Sequence, residues 1–248
     1  MGFSLLEQKI SDRIRSGCNV KLLGDSLTIG SGSSDTDLNG TVIYPPFRRQ
    51  KGSRCWASLL AAHLAQYGCK VDNVGCYGTT SDEMMEHLDR LYKPEEDAVV
   101  FCMIGANDKK IPDGMEHLRR NLEAVCDRIV RDGNFLILMT PNPATPANDA
   151  KPNRLYTQAD VAKTIRTVAA EHADTVAFID HFAAMTADCA RSGLSMDEYL
   201  QVGAGPENDG LHPGDKVYRS YFDNICQALT SEQSRTAAAF SYCGGFLL

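Results

Sequence analysis

Residues 98–104, Ala-Val-Val-Phe-Cys-Met-Ile, form the clearest buried-strand pattern in the chain. The run is apolar at almost every position rather than at alternate positions, which is typical of a parallel sheet that is covered on both faces. Short apolar runs at residues 19–23, 70–74, 135–139 and 175–179 predict four further strands. Because helical patterns separate these runs, we predict an α/β, doubly wound fold around a five-stranded sheet.

Apolar residues at helical spacing predict the helices of this fold. They occupy residues 5–15, 56–67, 81–91, 115–130, 157–171, a region that ends near 191, 195–200 and 215–229. Gly, Ser, Asp and Pro accumulate at residues 30–46, 141–146 and 203–213, where we predict irregular connections. The pattern fits one domain over residues 1–230 with an insertion at 31–54. The tail, 231–248, has no clear periodicity, and its sequence indicates no role.

Composition narrows the class of protein. The 248 residues are 43% hydrophobic and 23% charged, which is typical of a soluble domain with a full core. A formal charge of −7 argues against a general nucleic-acid binder, and no apolar run approaches the ~20 residues of a membrane span. The nine cysteines form no C-x-x-C pair and show no zinc-ligand spacing, so we interpret them as buried thiols. With no secretory leader in the sequence, they predict a cytoplasmic protein without a metal or other cofactor.

Polar motifs follow the predicted strands. Gly24-Asp25-Ser26-Leu27 comes after the first strand, Asn73 to Ser81 after the second, and Gly105-Ala106-Asn107-Asp108 after the third. A fourth motif, Asp209-Gly210-Leu211-His212, lies in a loop before the last helix. Sites in open α/β sheets lie beyond the carboxyl ends of the strands. Each motif alone is more often a turn, a helix cap or a surface loop; their occurrence in this order favours a site.

Each motif offers a separate chemical role. Ser26 is a nucleophile that needs a base, and His212 can take its proton while Asp209 orients the imidazole. The backbone N–H groups of Ser26 and Gly78, with the side-chain amide of Asn107, can bind a tetrahedral oxyanion. His181 follows an aspartate at a strand end, but a structural role is the more common one for such a histidine.

The four motifs resemble those of the SGNH (GDSL) hydrolase family, and they span residues 24–213. The resemblance implies a three-layer α/β/α, flavodoxin-like fold with a five-stranded parallel sheet. It also implies the roles given above for the nucleophile, the base, its orienting aspartate and the three oxyanion donors. Asp25 and Asp108 are expected to support these groups. Gly75 competes with Gly78 in the second motif, and the pattern of the motif favours Gly78.

We therefore expect a serine esterase that hydrolyses carboxylic esters through an acyl-enzyme, acting on a small-molecule or carbohydrate ester. The polar insertion beside Ser26 favours short acyl groups such as acetyl on a carbohydrate. A lysophospholipase or thioesterase activity, or a non-catalytic binding module on the same fold, are the alternatives. Basic residues near the end of the insertion, Arg48 and Arg49 among them, are either a solvated loop or a contact for an anionic substrate group. The sequence predicts no oligomeric state.

Overall fold

The central parallel sheet is the framework of the molecule. The structure is a computed structural model. It describes residues 4–44, 47–201 and 209–229, and for residues 38–44 and 47–51 it describes the backbone only. Its strands are β1 (Asn19–Gly24), β2 (Asp37–Tyr44), β3 (Phe47–Lys51), β4 (Lys70–Asn73), β5 (Asp97–Met103), β6 (Phe135–Met139) and β7 (Val176–Ile179). Five of them form one sheet in the order β4-β1-β5-β6-β7, with every neighbouring pair parallel. This is the flavodoxin-like order, and it confirms the predicted fold class.

The helices cover both faces of this sheet. They are α1 (Leu5–Arg15), α2 (Ser26–Ile29), α3 (Trp56–Leu64), α4 (Ser81–Glu86), α5 (Leu88–Leu91), α6 (Gly114–Arg131), α7 (Pro146–Asp149), α8 (Gln158–Glu171), α9 (His181–Ser192), α10 (Met196–Gln201) and α11 (Asp215–Leu229). Short 3₁₀ turns follow at Ala65–Tyr67 and Asp108–Lys110.

Two apolar clusters lie on opposite sides of the sheet, and β5 contributes to both. Val99 and Phe101 pack with α1, α3 and α11 on one side. Val100 and Cys102 pack with α6 and α8 on the other. Every residue of β5 is buried, because successive side chains of a strand point to opposite faces and both faces are covered. The continuous apolar run at residues 98–104 therefore follows from its place in the middle layer.

The insertion is more regular than predicted. We expected an irregular connection over residues 30–46, but β2 and β3 pair as an antiparallel hairpin. The run Thr41-Val42-Ile43-Tyr44 consists of β-branched and aromatic residues that favour strands, and the surrounding Gly, Ser and Asp obscure it. Pro45 and Pro46 lie outside the described residues, as do residues 202–208 of the predicted loop at 203–213 and the tail 231–248.

Helix ends account for the other differences. The helix predicted over 81–91 is interrupted at His87, which divides it into α4 and α5. The N-cap of α4 is Thr80, because Thr80 and Glu83 form a reciprocal capping box. Helix α7 begins at Pro146 inside the proline-rich loop, since proline is tolerated in the first turn of a helix.

Seven of the eight cysteines in the described residues are buried, and none of the eight forms a disulfide. Burial raises the pKa of the Cys126 thiol to about 12, so this side chain behaves as a small apolar group. Within the described ranges, no helix is both long enough and apolar enough to cross a membrane. The cytoplasmic location stays a prediction.

Candidate active site

Ser26 lies at a sharp turn between β1 and α2. Gly24 ends the strand, and a Cβ at this position would collide with the Met103 carbonyl oxygen and the Thr28 side chain. Asp25 is the N-cap of α2 and accepts hydrogen bonds from Leu27 N (3.0 Å) and Ala106 N (3.2 Å). The aspartate thereby joins the nucleophile turn to the segment behind β5. Ser26 is the first residue of the helix, where the backbone N–H has no intrahelical partner.

Ser26, His212 and Asp209 form a continuous hydrogen-bonded chain. His212 Nε2 lies 2.8 Å from Ser26 Oγ, and His212 Nδ1 lies 3.0 Å from Asp209 Oδ2. The other carboxylate oxygen of Asp209 accepts from the backbone N–H groups of Leu211 and His212, each at 2.9 Å. Ser26 and His212 are only 4% and 5% exposed. The three residues that the sequence predicts to act together are therefore in contact.

Electrostatics keep the Asp209 carboxylate ionised. Its burial alone would raise its pKa, but hydrogen bonds from the His212 ring and from the backbone of His212 and Leu211 lower it well below the usual range. A proton taken up by His212 would therefore face a carboxylate that stays negative at neutral pH.

The loop that carries Asp209 and His212 is held by the proline-rich segment after β6 and by α7. Asn142 Nδ2 donates to Leu211 O (2.9 Å), and Asn148 Nδ2 donates to Asp209 O (2.8 Å). Thr145 N donates to Gly210 O (2.8 Å). We predicted only an irregular loop here. Asparagines in a proline-rich segment directly behind a strand were the signal that could have identified the support.

The candidate oxyanion donors lie on neighbouring strand ends. Asn107 is 6% exposed, and its Nδ2 donates to the carbonyl of Thr79, the residue after Gly78. Gly78 has φ +78°, and a Cβ there would meet nothing within 4 Å, so the space on that side of the residue is open. Gly75, in contrast, donates its N–H to Asn73 Oδ1 at 3.0 Å. The Gly75 N–H is therefore already engaged, and the choice of Gly78 stays a prediction.

Asp25 and Asp108 are buried carboxylates behind these donors. Asp108 accepts hydrogen bonds from the Ser81 backbone N–H and hydroxyl, and so fixes the start of α4. Burial raises the pKa of each to about 6, although the hydrogen bonds to each carboxylate oppose that change. Their contacts are with backbone and hydroxyl groups of the turns, and their supporting role stays a prediction.

Two residues that the sequence did not single out contact His212. The Tyr77 ring stacks against the imidazole with centroids 5.9 Å apart and planes 17° apart, and the tyrosine is 54% exposed. Gly32 has φ +96°, and a Cβ there would come within 2.9 Å of His212 Cβ. The beginning of the insertion therefore packs directly on the histidine, an approach that a larger residue would prevent.

Other candidates lie elsewhere. The His181 ring is fully buried, and its nitrogens lie near Met139 Sδ and Asn224 Nδ2, away from Ser26 and Asp209, so a structural role stays our prediction. The side chains of Arg48 and Arg49 lie outside the described residues. Across the part of the chain that the structure describes, no group of three or more His, Cys, Asp or Glu side chains is arranged to hold a metal ion.

Comparison with known proteins identifies the family. The family model of GDSL-like lipases/acylhydrolases matches residues 22–220. The chain belongs to the GDSL-like lipase/acylhydrolase family. This membership confirms the resemblance predicted from the four motifs and supports hydrolysis of carboxylic esters. No curated protein sequence matches the chain significantly.

Solved structures agree with this assignment to the GDSL-like acylhydrolases. A lipase/acylhydrolase from Enterococcus faecalis is 25% identical, with a TM-score of 0.61 over 85% of this chain and 94% of that one. An acetylxylan esterase from Geobacillus stearothermophilus, Axe2, is 17% identical, with a TM-score of 0.64 over 88% and 97% of the two chains. LAE5, an α/β hydrolase from the metagenome of Lake Arreo, is 19% identical, with a TM-score of 0.63 over 87% and 98%. At these identities the last two show a shared fold.

Proposed function

We propose that this acylhydrolase is a serine esterase that works through an acyl-enzyme, with Ser26 as nucleophile, His212 as general base and Asp209 as the residue that orients His212. The observation that carries the proposal is the hydrogen-bonded chain of Ser26 Oγ, His212 and Asp209 at 2.8 and 3.0 Å. Serine, imidazole and carboxylate in this order are the groups that activate a hydroxyl for attack on an acyl carbon.

In the first half-reaction, His212 Nε2 takes the proton of Ser26 as Oγ attacks the ester carbonyl carbon. The resulting oxyanion is bound by the N–H groups of Ser26 and Gly78 and by Asn107 Nδ2. His212 then gives its proton to the departing alcohol, which leaves an acyl group on Ser26. In the second half-reaction, His212 takes a proton from the water that attacks the acyl carbon. His212 then returns this proton to Ser26 Oγ as the bond between Oγ and the acyl carbon breaks, which releases the acid and restores the free serine.

A fluorophosphonate probe tests the nucleophile directly, because it labels only an activated serine. We expect stoichiometric labelling of Ser26, mapped by peptide mass spectrometry, and none in the Ser26→Ala variant. The His212→Ala variant, in which Ser26 keeps its hydroxyl but loses its base, should label far more slowly. Equal labelling of wild type and Ser26→Ala would contradict the proposed mechanism.

We further propose that the acyl group is short, such as acetyl, and that the alcohol is a carbohydrate. The cleft beside Gly78 supports this, since it is lined mainly by polar groups: Thr79, Glu83, Glu86 and His87, together with Cys76 and Tyr77. A long acyl chain needs apolar lining to gain binding free energy, roughly 0.8 kcal/mol for each buried CH₂. The fold is compatible with deacetylation, because Axe2 is an acetylxylan esterase.

The acyl preference can be measured with p-nitrophenyl acetate, butyrate and octanoate under identical conditions. We expect kcat/KM to be highest for acetate and to fall with chain length. Acetylated xylo-oligosaccharides and an acetylated simple alcohol then distinguish a carbohydrate acceptor from a general one. Faster hydrolysis of octanoate would refute the short-acyl proposal and favour a lysophospholipase or thioesterase activity.

A further inference from the structure

The side-chain amide of Asn107 is held at both ends. Lys110 Nζ lies 2.6 Å from Asn107 Oδ1, and Asn107 Nδ2 lies 3.0 Å from the Thr79 carbonyl oxygen. A lysine ammonium group has donors and no acceptor, so the atom that it contacts must be the amide oxygen. The nitrogen must then face Thr79. The two contacts leave only one orientation of the amide.

This orientation matters because of where the amide lies. Thr79 follows Gly78, so the chain of contacts from Lys110 through Asn107 to Thr79 joins the two candidate oxyanion donors that come from different strand ends. The amide nitrogen has two hydrogens, and Thr79 takes one of them. The second is the hydrogen that the proposed mechanism requires for the oxyanion.

Lys110 is itself fixed to the same turn. Its backbone N–H donates to Asn107 O at 3.1 Å and closes the 3₁₀ turn Asp108–Lys110. Lys110 is exposed overall, but partial desolvation of its ammonium group lowers its pKa. Nearby Arg154 and Lys151 also lower it, whereas the carboxylates of Asp25 and Asp209 oppose them. The Lys110 charge therefore interacts with the carboxylates of Asp25 and Asp209.

We propose that Lys110 is a positioning residue for oxyanion stabilisation, holding Asn107 Oδ1 so that one amide N–H is presented to the oxyanion and polarising the amide as it does so. The inference rests on the proposed role of Asn107. A cation at the amide oxygen withdraws electron density from the nitrogen, which makes the N–H a stronger donor, and hydrogen bonds in a chain reinforce one another. The gain appears when the oxyanion forms, so it should lower the barrier without tightening substrate binding.

A double-mutant cycle between Lys110 and Asn107 tests this proposal. Lys110→Met keeps the aliphatic stem and removes the charge and the donor, while Lys110→Arg keeps both. With p-nitrophenyl acetate, we expect Lys110→Met to lower kcat by about 10–100-fold with little change in KM, and Lys110→Arg to recover most of the loss. In an Asn107→Ala background, Lys110→Met should change kcat by about twofold or less, because the amide through which it acts is gone.

Controls separate this effect from loss of fold. Lys93→Met is a matched variant, since Lys93 is also exposed and donates Nζ to a carbonyl, that of Asp89 at 2.5 Å. It should leave kcat unchanged. Thermal unfolding is measured for each variant, and Lys110→Gln, which keeps a neutral donor, replaces Lys110→Met if the latter does not fold.

The possible outcomes are distinct. Equal loss of kcat on Lys110→Met in both backgrounds, an effect confined to KM, or no effect at all would overturn the role of Lys110. If wild type hydrolyses the ester and Ser26→Ala does not, such a result leaves the serine mechanism intact. Turnover by Ser26→Ala would instead overturn the proposed function, and the role of Lys110 with it.

Discussion

His212 and His181 lie in similar surroundings by sequence but differ in what their rings contact. Both are buried and follow an aspartate within three residues, and both rings pack on a tyrosine. The His212 ring bonds to Asp209 and Ser26. The aspartate beside His181, Asp180, instead bonds to Arg166 and Thr140, while the His181 ring faces Met139 Sδ.

The difference shows that the partner of the carboxylate decides what a buried histidine can do. The Asp209 carboxylate contacts the His212 imidazole, so its negative charge stabilises a proton that His212 receives. The negative charge of Asp180 is paired with the Arg166 guanidinium. Burial lowers the pKa of His181 to about 3, so this ring stays neutral at physiological pH and cannot exchange a proton with a substrate.

Ser26 contacts His212 and not His181, and removing its hydroxyl should give the largest loss of kcat. Ser26→Ala is expected to lower kcat by roughly 10⁴–10⁶, because the acyl-enzyme can no longer form. Steady-state hydrolysis of p-nitrophenyl acetate measures it, with His181→Phe as a matched variant that should retain near wild-type kcat. A larger loss in His181→Phe than in Ser26→Ala would reverse the assignment of the two histidines.

The two aspartates allow the same comparison one step further from the substrate. Asp209→Asn keeps the shape but removes the charge that holds the His212 tautomer, and we expect kcat to fall by about 10³–10⁴. Asp180→Asn breaks the pair with Arg166, so we expect it to lower the melting temperature while kcat changes little. Kinetics and thermal unfolding on both variants check this. Comparable kcat losses would mean that the carboxylate partner is not what distinguishes them.

How far this contrast could be predicted from sequence depends on the distance over which each contact acts. The five strands and the positions of Ser26 and Asn107 follow from local apolar runs and from the polar residues at their ends. The position of His212 follows from its motif with Asp209 in the loop before the last helix. The residues that hold the loop of Asp209 and His212 in place cannot be predicted in this way. Asn148 reaches Asp209 across 61 positions, and the sequence carries no local pattern for such a contact.

Residues close in sequence were also missed where their role depends on side-chain direction. Lys110 is three positions from Asn107, but nothing in the sequence indicates that its ammonium group turns back onto the amide. Tyr77 lies next to Gly78, but its stacking on His212 requires the fold to bring the second and fourth motifs together. The hairpin was hidden for a different reason, since its strands lie among residues that favour turns.

Substitution of the tyrosines that pack on the two histidines should lower activity less than the changes above. Tyr77→Ala removes an exposed ring from His212, and aromatic contacts are worth about 0.5–1.5 kcal/mol, so we expect kcat/KM to fall about 2–10-fold with little loss of stability. Tyr221 is fully buried and its hydroxyl hydrogen-bonds to Asn142, so Tyr221→Phe should mainly reduce stability. Steady-state kinetics and urea unfolding of the two variants measure these effects. A Tyr77→Ala variant that is destabilised but fully active would contradict this interpretation.

The smallest effect on turnover, and a distinct effect on stability, is expected for His181→Phe. The folded pKa of His181 is about 3, below the ordinary value of 6.5, so its contribution to stability is complete above pH 6.5 and is lost as the pH falls towards 3. Over that whole range the loss is on the order of 5 kcal/mol. Phenylalanine does not titrate, so the free energy of unfolding of wild type minus that of His181→Phe should fall as the pH is lowered.

The difference between the two proteins is needed because other groups have the opposite sign. Asp25 and Asp108 have raised pKa values of about 6, so their contribution is present below the ordinary aspartate value near 3.8 and is lost as the pH rises through 6. These terms partly offset that of His181 in wild type, but they cancel in the comparison with the variant. Urea unfolding at pH 7, 6, 5 and 4 gives the difference directly. A value that stays constant over this range would mean that His181 titrates in the folded protein as it does in the unfolded chain, and its contrast with His212 would then not rest on burial.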